Sequence, residues 1–225
     1  MTCLGLVFSQ TQGSSTKHLF SLQSESVSSL IRKSWVYAWN IPTQTTNENK
    51  LFPRIIHRQY TDWKFTCLRN DQDYSRRGLH PRTEIRLLEQ YSLQEAYQLN
   101  VSVSIEQFPV SFEFIQVMAY ITKALPLFQL EFINNAIGVR YRENQQLWRQ
   151  TIVQIKPRQK YQLQLKFQYP SFVLMMDGKL VYTYSVKPDT KISPHSFWIQ
   201  FGVYKNKVSK VDQTVTFHSL DLYRL

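Results

Sequence analysis

The strongest constraint on the fold is a period of two. Tyr97, Leu99, Val101, Val103 and Ile105 alternate with Gln98, Asn100, Ser102, Ser104 and Glu106. Successive side chains of a strand point to opposite faces, so this segment lays one apolar face on a core and offers the other to water. The signal recurs along the chain. Trp35, Tyr37 and Trp39 alternate in Ser34–Ile41, which Pro42 closes. Tyr161, Leu163, Leu165, Phe167 and Tyr169 alternate with Gln162, Gln164, Lys166 and Gln168. Phe172–Met176 and Leu180–Ser185 flank Asp177-Gly178, a pair suited to a two-residue hairpin. Leu127–Phe132 and Ala136–Arg142 flank Asn134-Asn135, another favoured turn pair. Val110–Ile121 is more apolar throughout than Tyr97–Ile105 and reads as a central strand, while Phe197–Tyr204 and Thr214–Tyr223 close the chain. Leu51–Thr66 is mixed, with Ile55, Ile56 and Trp63 as core candidates. Many short strands with turn signals between them and almost no helical period predict a β-sandwich. A curved sandwich with a concave polar sheet fits best.

Two segments carry chemistry. In Arg82-Thr83-Glu84-Ile85-Arg86, read as a strand, Arg82, Glu84 and Arg86 share one face and Thr83, Ile85 and Leu87 the other. The arginines are forked donors suited to carboxylates, and Glu84 between them holds their orientation. A solvated ion-pair ladder satisfies the same spacing. In residues 197–206, Phe197, Ile199, Phe201 and Val203 form a core face, opposite Trp198, Gln200, Gly202 and Tyr204. An aromatic, an amide and a phenol side by side suit a sugar, with Lys205 at the end of the row.

At these residues the chain resembles the jelly-roll polysaccharide lyases, the alginate-lyase and glucuronan-lyase type in particular. That family carries R-S/T-E-L-R early, Q-I/V-H in the middle and Y-F-K-A-G-x-Y near the end. Arg82 to Arg86 matches the first. Trp198 to Tyr204 matches the last in its glycine and tyrosine, with Gln200 where the family has lysine. The middle motif falls at Gln116-Val117-Met118, so a methionine stands in the histidine's place. The resemblance runs from about residue 82 to the end. It implies an all-β, concanavalin-like β-sandwich (jelly roll) of two antiparallel sheets with a concave polar cleft. It also implies cleavage of an anionic uronate polymer by β-elimination. Arg82 and Gln116 would neutralise the uronate carboxylate, with Arg86 in support. Tyr204 would act as acid and also as base, its phenolate favoured by nearby arginines. Glu84, Trp198, Gln200, Arg86 and Lys205 would contact substrate. A thioether has no useful basicity, so Met118 cannot replace the histidine, and His57 or His195 remains an alternative base. Gln116 is also readable as a buried amide bonded to backbone, and Tyr204 as an ordinary interface tyrosine. Gln162, Gln164, Lys166 and Gln168 are either a cleft floor or a plain solvent face.

Composition bounds the partners. The 225 residues suffice for one large domain, expected over 21–225 after a flexible tail or leader at 1–20. A net charge of +11 favours a polyanion, and acidic polysaccharide is the partner expected. No nucleic-acid motif accompanies the charge, although a basic sandwich that binds nucleic acid or assembles with itself stays open, as does a non-catalytic carbohydrate-binding module. The basic cluster Arg76-Arg77-Gly78 is a surface loop or a cleft flank. The five histidines, His18, His57, His80, His195 and His218, lack metal-ligand spacing. No phosphate-binding loop or dinucleotide fingerprint occurs, so neither metal nor cofactor is expected. Cys3 lies in the tail, which argues against a disulfide with Cys67. No apolar run reaches the ~20 residues of a membrane span. Cys3–Phe8 is a short apolar run without a basic start, and a clipped secretory signal stays open. A secreted or extracellular monomer is the expectation.

Overall fold

The alternating segments Tyr97–Ile105 and Tyr161–Gln168 are strands, and their apolar residues are buried. The computed structural model describes residues 16–26, 29, 34–38, 55–58, 62–69, 82–106, 110–120, 124–143, 146–185, 196–205 and 211–225. Among these, strands numbered in chain order form two sheets. The first runs β14 (Lys179–Ser185), β13 (Ser171–Met176), β12 (Tyr161–Gln168), β7 (Tyr97–Ile105), β16 (Gln213–Arg224), β4 (Asp62–Cys67) and β3 (Ile55–Arg58), with β1 (Lys17–Ser21) also on β16. The second runs β11 (Gln146–Gln154), β10 (Ala136–Glu143), β9 (Ala124–Asn134), β8 (Val110–Tyr120), β15 (Ser196–Lys205), β5 (Arg82–Leu87) and β2 (Ser34–Ala38), with β6 (Tyr91–Ser92) on β15. Every pairing is antiparallel. This is the two-sheet sandwich that the alternation predicts.

Aromatic side chains join the sheets. Phe65 and Phe217 of the first sheet meet Phe201 of the second edge to face, at centroid distances of 5.8 and 5.7 Å. Tyr97 and Phe167 meet Phe197, each at 5.0 Å. Phe128 stacks on Phe172 at 4.8 Å. Rings at these distances add roughly 0.5–1.5 kcal/mol per pair beyond the burial of their area. The predicted core residue Trp63 is fully buried. The side chains of Ile55 and Ile56 and the stretch from Trp39 to Pro42 lie outside the described residues, as does the Arg76-Arg77-Gly78 loop.

The turns follow the sequence. Asp177 and Gly178 both take positive φ, 49° and 78°, the conformation of a tight hairpin whose twist matches its strands. Asn134 takes φ 56° at the β9–β10 turn. Some boundaries differ from expectation. Lys17–Phe20, expected as the end of a flexible tail, pairs with β16, where Phe20 opposes Leu222. Phe20 lacks a long alternating context, so the partner strand rather than local pattern defines β1. Residues 22–24 form a single 3-10 turn. The row Gln162, Gln164, Lys166 and Gln168 lies on β12, in the opposite sheet from Arg82, and is not the floor of a site built on Arg82. Gln162 and Gln164 instead donate to Ser102 Oγ and Asn100 Oδ1 on β7. Among the described residues, no helix is long and apolar enough to cross a membrane.

Gly202 controls how β15 lies on its neighbours. Its φ is +132°, and a Cβ there would stand 2.3 Å from the Thr83 carbonyl oxygen and 2.9 Å from Glu84 Cα. The register between β15 and β8 shifts at this point, between Phe201 and Tyr204. Only glycine accepts both the dihedral and the close approach of β5. Gly202→Ala should therefore destabilise the protein by more than the ~1–3 kcal/mol of backbone strain alone, read as a lower urea midpoint. An unchanged midpoint would refute the close approach.

Candidate active site

The polar side chains of the second sheet fall into rows that cross it. In register, Arg86 on β5 opposes Gln200 on β15, Gln200 opposes Gln116 on β8, Gln116 opposes Gln129 on β9, Gln129 opposes Arg140 on β10, and Arg140 opposes Arg149 on β11. One step along, Arg82 opposes Tyr204, Tyr204 opposes Glu113, and Glu113 opposes Glu131. Directly opposed residues in a sheet present their side chains to the same face. Three strands thus bring Arg82, Glu84, Arg86, Gln116, Gln200 and Tyr204 together.

A hydrogen-bonded chain ties the centre of this face. Gln116 Nε2 donates to Glu84 Oε1 at 2.5 Å, and Gln129 Nε2 donates to Gln116 Oε1 at 2.5 Å. Trp198 Nε1 donates to Gln200 Oε1 at 3.0 Å. The guanidinium of Arg82 lies over the Tyr204 ring at 4.6 Å, and that of Arg86 over Trp198 at 4.2 Å. Such stacking holds a cation without consuming its donors.

Three carboxylates on this face have no exposed side-chain surface. Arg82 Nη1 stands 3.6 Å from Glu84 Oε2, Arg140 is paired with Glu113, and Arg149 Nε lies 2.8 Å from Glu131 Oε1. Burial pushes the Glu84 carboxyl above the usual carboxylate range, against the charge of Arg82 and the hydrogen bond from Gln116. Burial likewise raises Glu131 to about 7, against the charge and hydrogen bond of Arg149. Glu131 leans across a glycine: a Cβ on Gly138 would come within 3.2 Å of its Oε1.

The candidate residues separate by depth. Arg82, Arg86, Met118 and Tyr204 are partly exposed, whereas Glu84, Gln116, Trp198 and Gln200 are buried. Glu84 is therefore a support for Arg82 and Gln116 rather than a contact for a ligand. Lys205 does not join the site. It is fully buried and donates through Nζ to the Leu68 carbonyl oxygen at 2.7 Å. It follows Tyr204 by one position and so takes the other face of β15, where it opposes the buried Phe112. Met118 opposes Trp198 two positions from Gln116, on the polar face. Of the alternative bases, His57 belongs to β3, in the other sheet, and its side chain and His195 lie outside the described residues. Among the described residues, no three His, Cys, Asp or Glu side chains gather as metal ligands.

Known structures share this architecture. The chain has the fold of the alginate lyases. Alginate lyase A1-II′, a member of polysaccharide lyase family 7, superposes with a TM-score of 0.69 at 13% identity, over 85% of this chain and 93% of that one. The family 7 alginate lyase AlyA1 of Zobellia galactanivorans gives 0.66 at 12% identity, over 89% and 100%. An endo-β-1,4-glucuronan lyase of the fungus Trichoderma reesei gives 0.59 at 13% identity, over 90% and 89%. At the level of sequence, no family model and no curated protein matches.

Sequence reasoning missed Glu113, Gln129, Glu131, Arg140 and Arg149. Gln129 and Glu131 alternate with Leu130 and Phe132, a legible signal. Glu113 and Gln116 are three positions apart and break the alternation, because β8 shifts register between Glu113 and Ile115. The raised Glu131 carboxyl has a measurable consequence. The folded protein holds this proton up to about pH 7, whereas the unfolded chain releases it near the ordinary 4.5. The unfolded state thus binds fewer protons between those values, and stability falls as pH rises through the window. Relative to Glu131→Gln, the protein should lose melting temperature across that range, and a constant difference between the two would rule this out.

Proposed function

We propose that the chain is a polysaccharide lyase that cleaves an anionic uronate polymer by β-elimination. The observation that carries this reading is the stacking of Arg82 over Tyr204 at 4.6 Å, beside Gln116, in a fold whose solved neighbours are alginate and glucuronan lyases. One of those neighbours, A1-II′, is seen with substrate in a variant with a histidine changed to asparagine and a tyrosine to phenylalanine.

The reaction removes the proton at C5 of a uronate and expels the oxygen at C4. Negative charge develops on the carboxylate as C5 is deprotonated, so cations and amide donors must be in position beforehand. Arg82 and Arg86 are partly exposed and held in place by Tyr204 and Trp198. Gln116 keeps one amide hydrogen beyond its bond to Glu84. These groups neutralise the carboxylate. Tyr204 takes the C5 proton as phenolate and returns it to the departing C4 oxygen. One residue can do both only when proton and leaving oxygen lie on the same side of the ring, as in mannuronate and glucuronate. Met118 leaves no base at the histidine position, so guluronate linkages are poor substrates.

A non-catalytic carbohydrate-binding role is the second reading. Met118 favours it, as does the engagement of Gln116 at both ends by Glu84 and Gln129. The polymers would be met outside the cell in either reading, with the chain acting as a secreted monomer.

Tyr204→Phe keeps the ring beneath Arg82 and removes the proton carrier. Release of the unsaturated product, followed by its ultraviolet absorbance on mannuronate- or glucuronate-type polymers, should fall by ~100-fold or more with the melting temperature little changed. Cleavage undiminished in Tyr204→Phe would defeat the scheme, and no cleavage by the unaltered protein would favour the binding module. Binding tests the charge separately. With a net charge of +11, affinity for acidic polymer should weaken with salt and in the double variant Arg82→Ala/Arg86→Ala. Equal retention on neutral and acidic columns at low salt would exclude it.

A further inference from the structure

The outer face of the first sheet carries a separate constellation. Asp62 on β4, His218 on β16 and Ser104 on β7 come from three adjacent strands. Asp62 Oδ1 lies 2.9 Å from His218 Nδ1, and Ser104 Oγ lies 2.9 Å from His218 Nε2. His218 is the extra residue where the β7–β16 register shifts, between Phe217 and Ser219. The carboxylate accepts from Nδ1–H, which fixes the tautomer and leaves the Nε2 lone pair facing the serine hydroxyl. That is the order of nucleophile, base and orienting acid used in acyl transfer on unrelated folds, where geometry rather than chain position defines the site.

The three residues also line a cavity of about 380 Å³, with Lys64, Glu106 and Arg158. Lys64 Nζ is held by Glu106 at 2.5 Å. Arg158 is exposed, at φ 63°, with its backbone N–H bonded to the Ile105 carbonyl oxygen, and its guanidinium has no partner among the described residues. A polar, half-open cavity with an activated hydroxyl and two cations has the parts needed to receive an ester carbonyl.

We propose that Ser104, His218 and Asp62 form a second, hydrolytic centre that accepts a short-chain acyl ester. The proposal stands independently of the lyase reading, because these residues lie on the other sheet. Ser104 Oγ bonds to the acyl carbon as its proton passes to His218 Nε2, and Lys64 or Arg158 balances the charge on the carbonyl oxygen. The bond from the acyl carbon to the alcohol oxygen breaks, and His218 returns the proton to that oxygen. Water repeats the sequence, freeing the carboxylic acid and restoring Ser104. Asp62 is a positioning residue, acting through the imidazole.

The test is covalent labelling of the full chain by a fluorophosphonate serine probe, mapped by peptide mass, with hydrolysis of p-nitrophenyl acetate alongside. Phosphonylation at Ser104 is expected, absent in Ser104→Ala and slowed by ~100-fold or more in His218→Gln, with ester turnover falling in step. Asp62→Asn should slow labelling and move its pH profile while circular dichroism stays unchanged. A chain that labels only elsewhere, or whose ester turnover survives in Ser104→Ala, would overturn the proposal and leave the three residues as a hydrogen-bonded ladder. The melting temperature and circular dichroism of the same Ser104→Ala protein should be unchanged, which reports that the fold is intact.

Discussion

Burial of charge on the second sheet is the constraint around which the polar face is organised. Glu84, Glu113 and Glu131 have no exposed side-chain surface, and an unpaired carboxylate in that setting is costly. Each has an arginine beside it: Arg82, Arg140 and Arg149. The pairings fix where the guanidinium groups stand. Arg82 is held between Glu84 and the Tyr204 ring, so its position is set before any ligand arrives. The same logic extends through Gln116 and Gln129, whose amides carry the hydrogen bonding of Glu84 across two more strands.

β15 joins this face to the core. Phe197 and Phe201 pack into aromatic clusters with residues of the first sheet, while Trp198, Gln200 and Tyr204 point the other way. A strand clamped by rings on one side is a rigid platform on the other, which suits a site that must hold cations and a phenol in register. Gly202 lets β5 approach closely enough to set Arg82 against Tyr204. The glycine and tyrosine that mark the segment in the sequence thus have distinct roles, one in strand approach and one in the proposed chemistry.

The two sheets carry their polar groups differently. On the second, arginines and carboxylates interlock beneath a partly exposed layer of Arg82, Arg86, Met118 and Tyr204. On the first, the outer face is a looser set of amides and hydroxyls, such as Gln162 with Ser102 and Gln164 with Asn100. Within that set, Ser104, His218 and Asp62 alone among the described residues form a serine–histidine–carboxylate line. It arises because β7, β16 and β4 are neighbours, although residues 62, 104 and 218 are far apart in the chain.

The sequence by itself determined the class of fold and one half of the candidate site. Alternation in Tyr97–Ile105 and Phe197–Tyr204 dictates which residues turn inward, since a strand has only two faces. It therefore placed Arg82, Glu84 and Arg86 on a common face, and Gln200 with Tyr204. It failed where local pattern carries no information about partners. Lys205 continues a polar-looking segment, yet one step along a strand turns its side chain toward Leu68. The amides of β12 look like a sugar-binding row, but strand order puts them in the other sheet. Glu113 escaped notice because a register shift in β8 breaks the period. Lys17–Phe20 has no pattern of its own and becomes a strand through pairing with β16. Which strands are neighbours, and in what register, is decided by contacts between residues distant in the chain, and only the tertiary structure contains those.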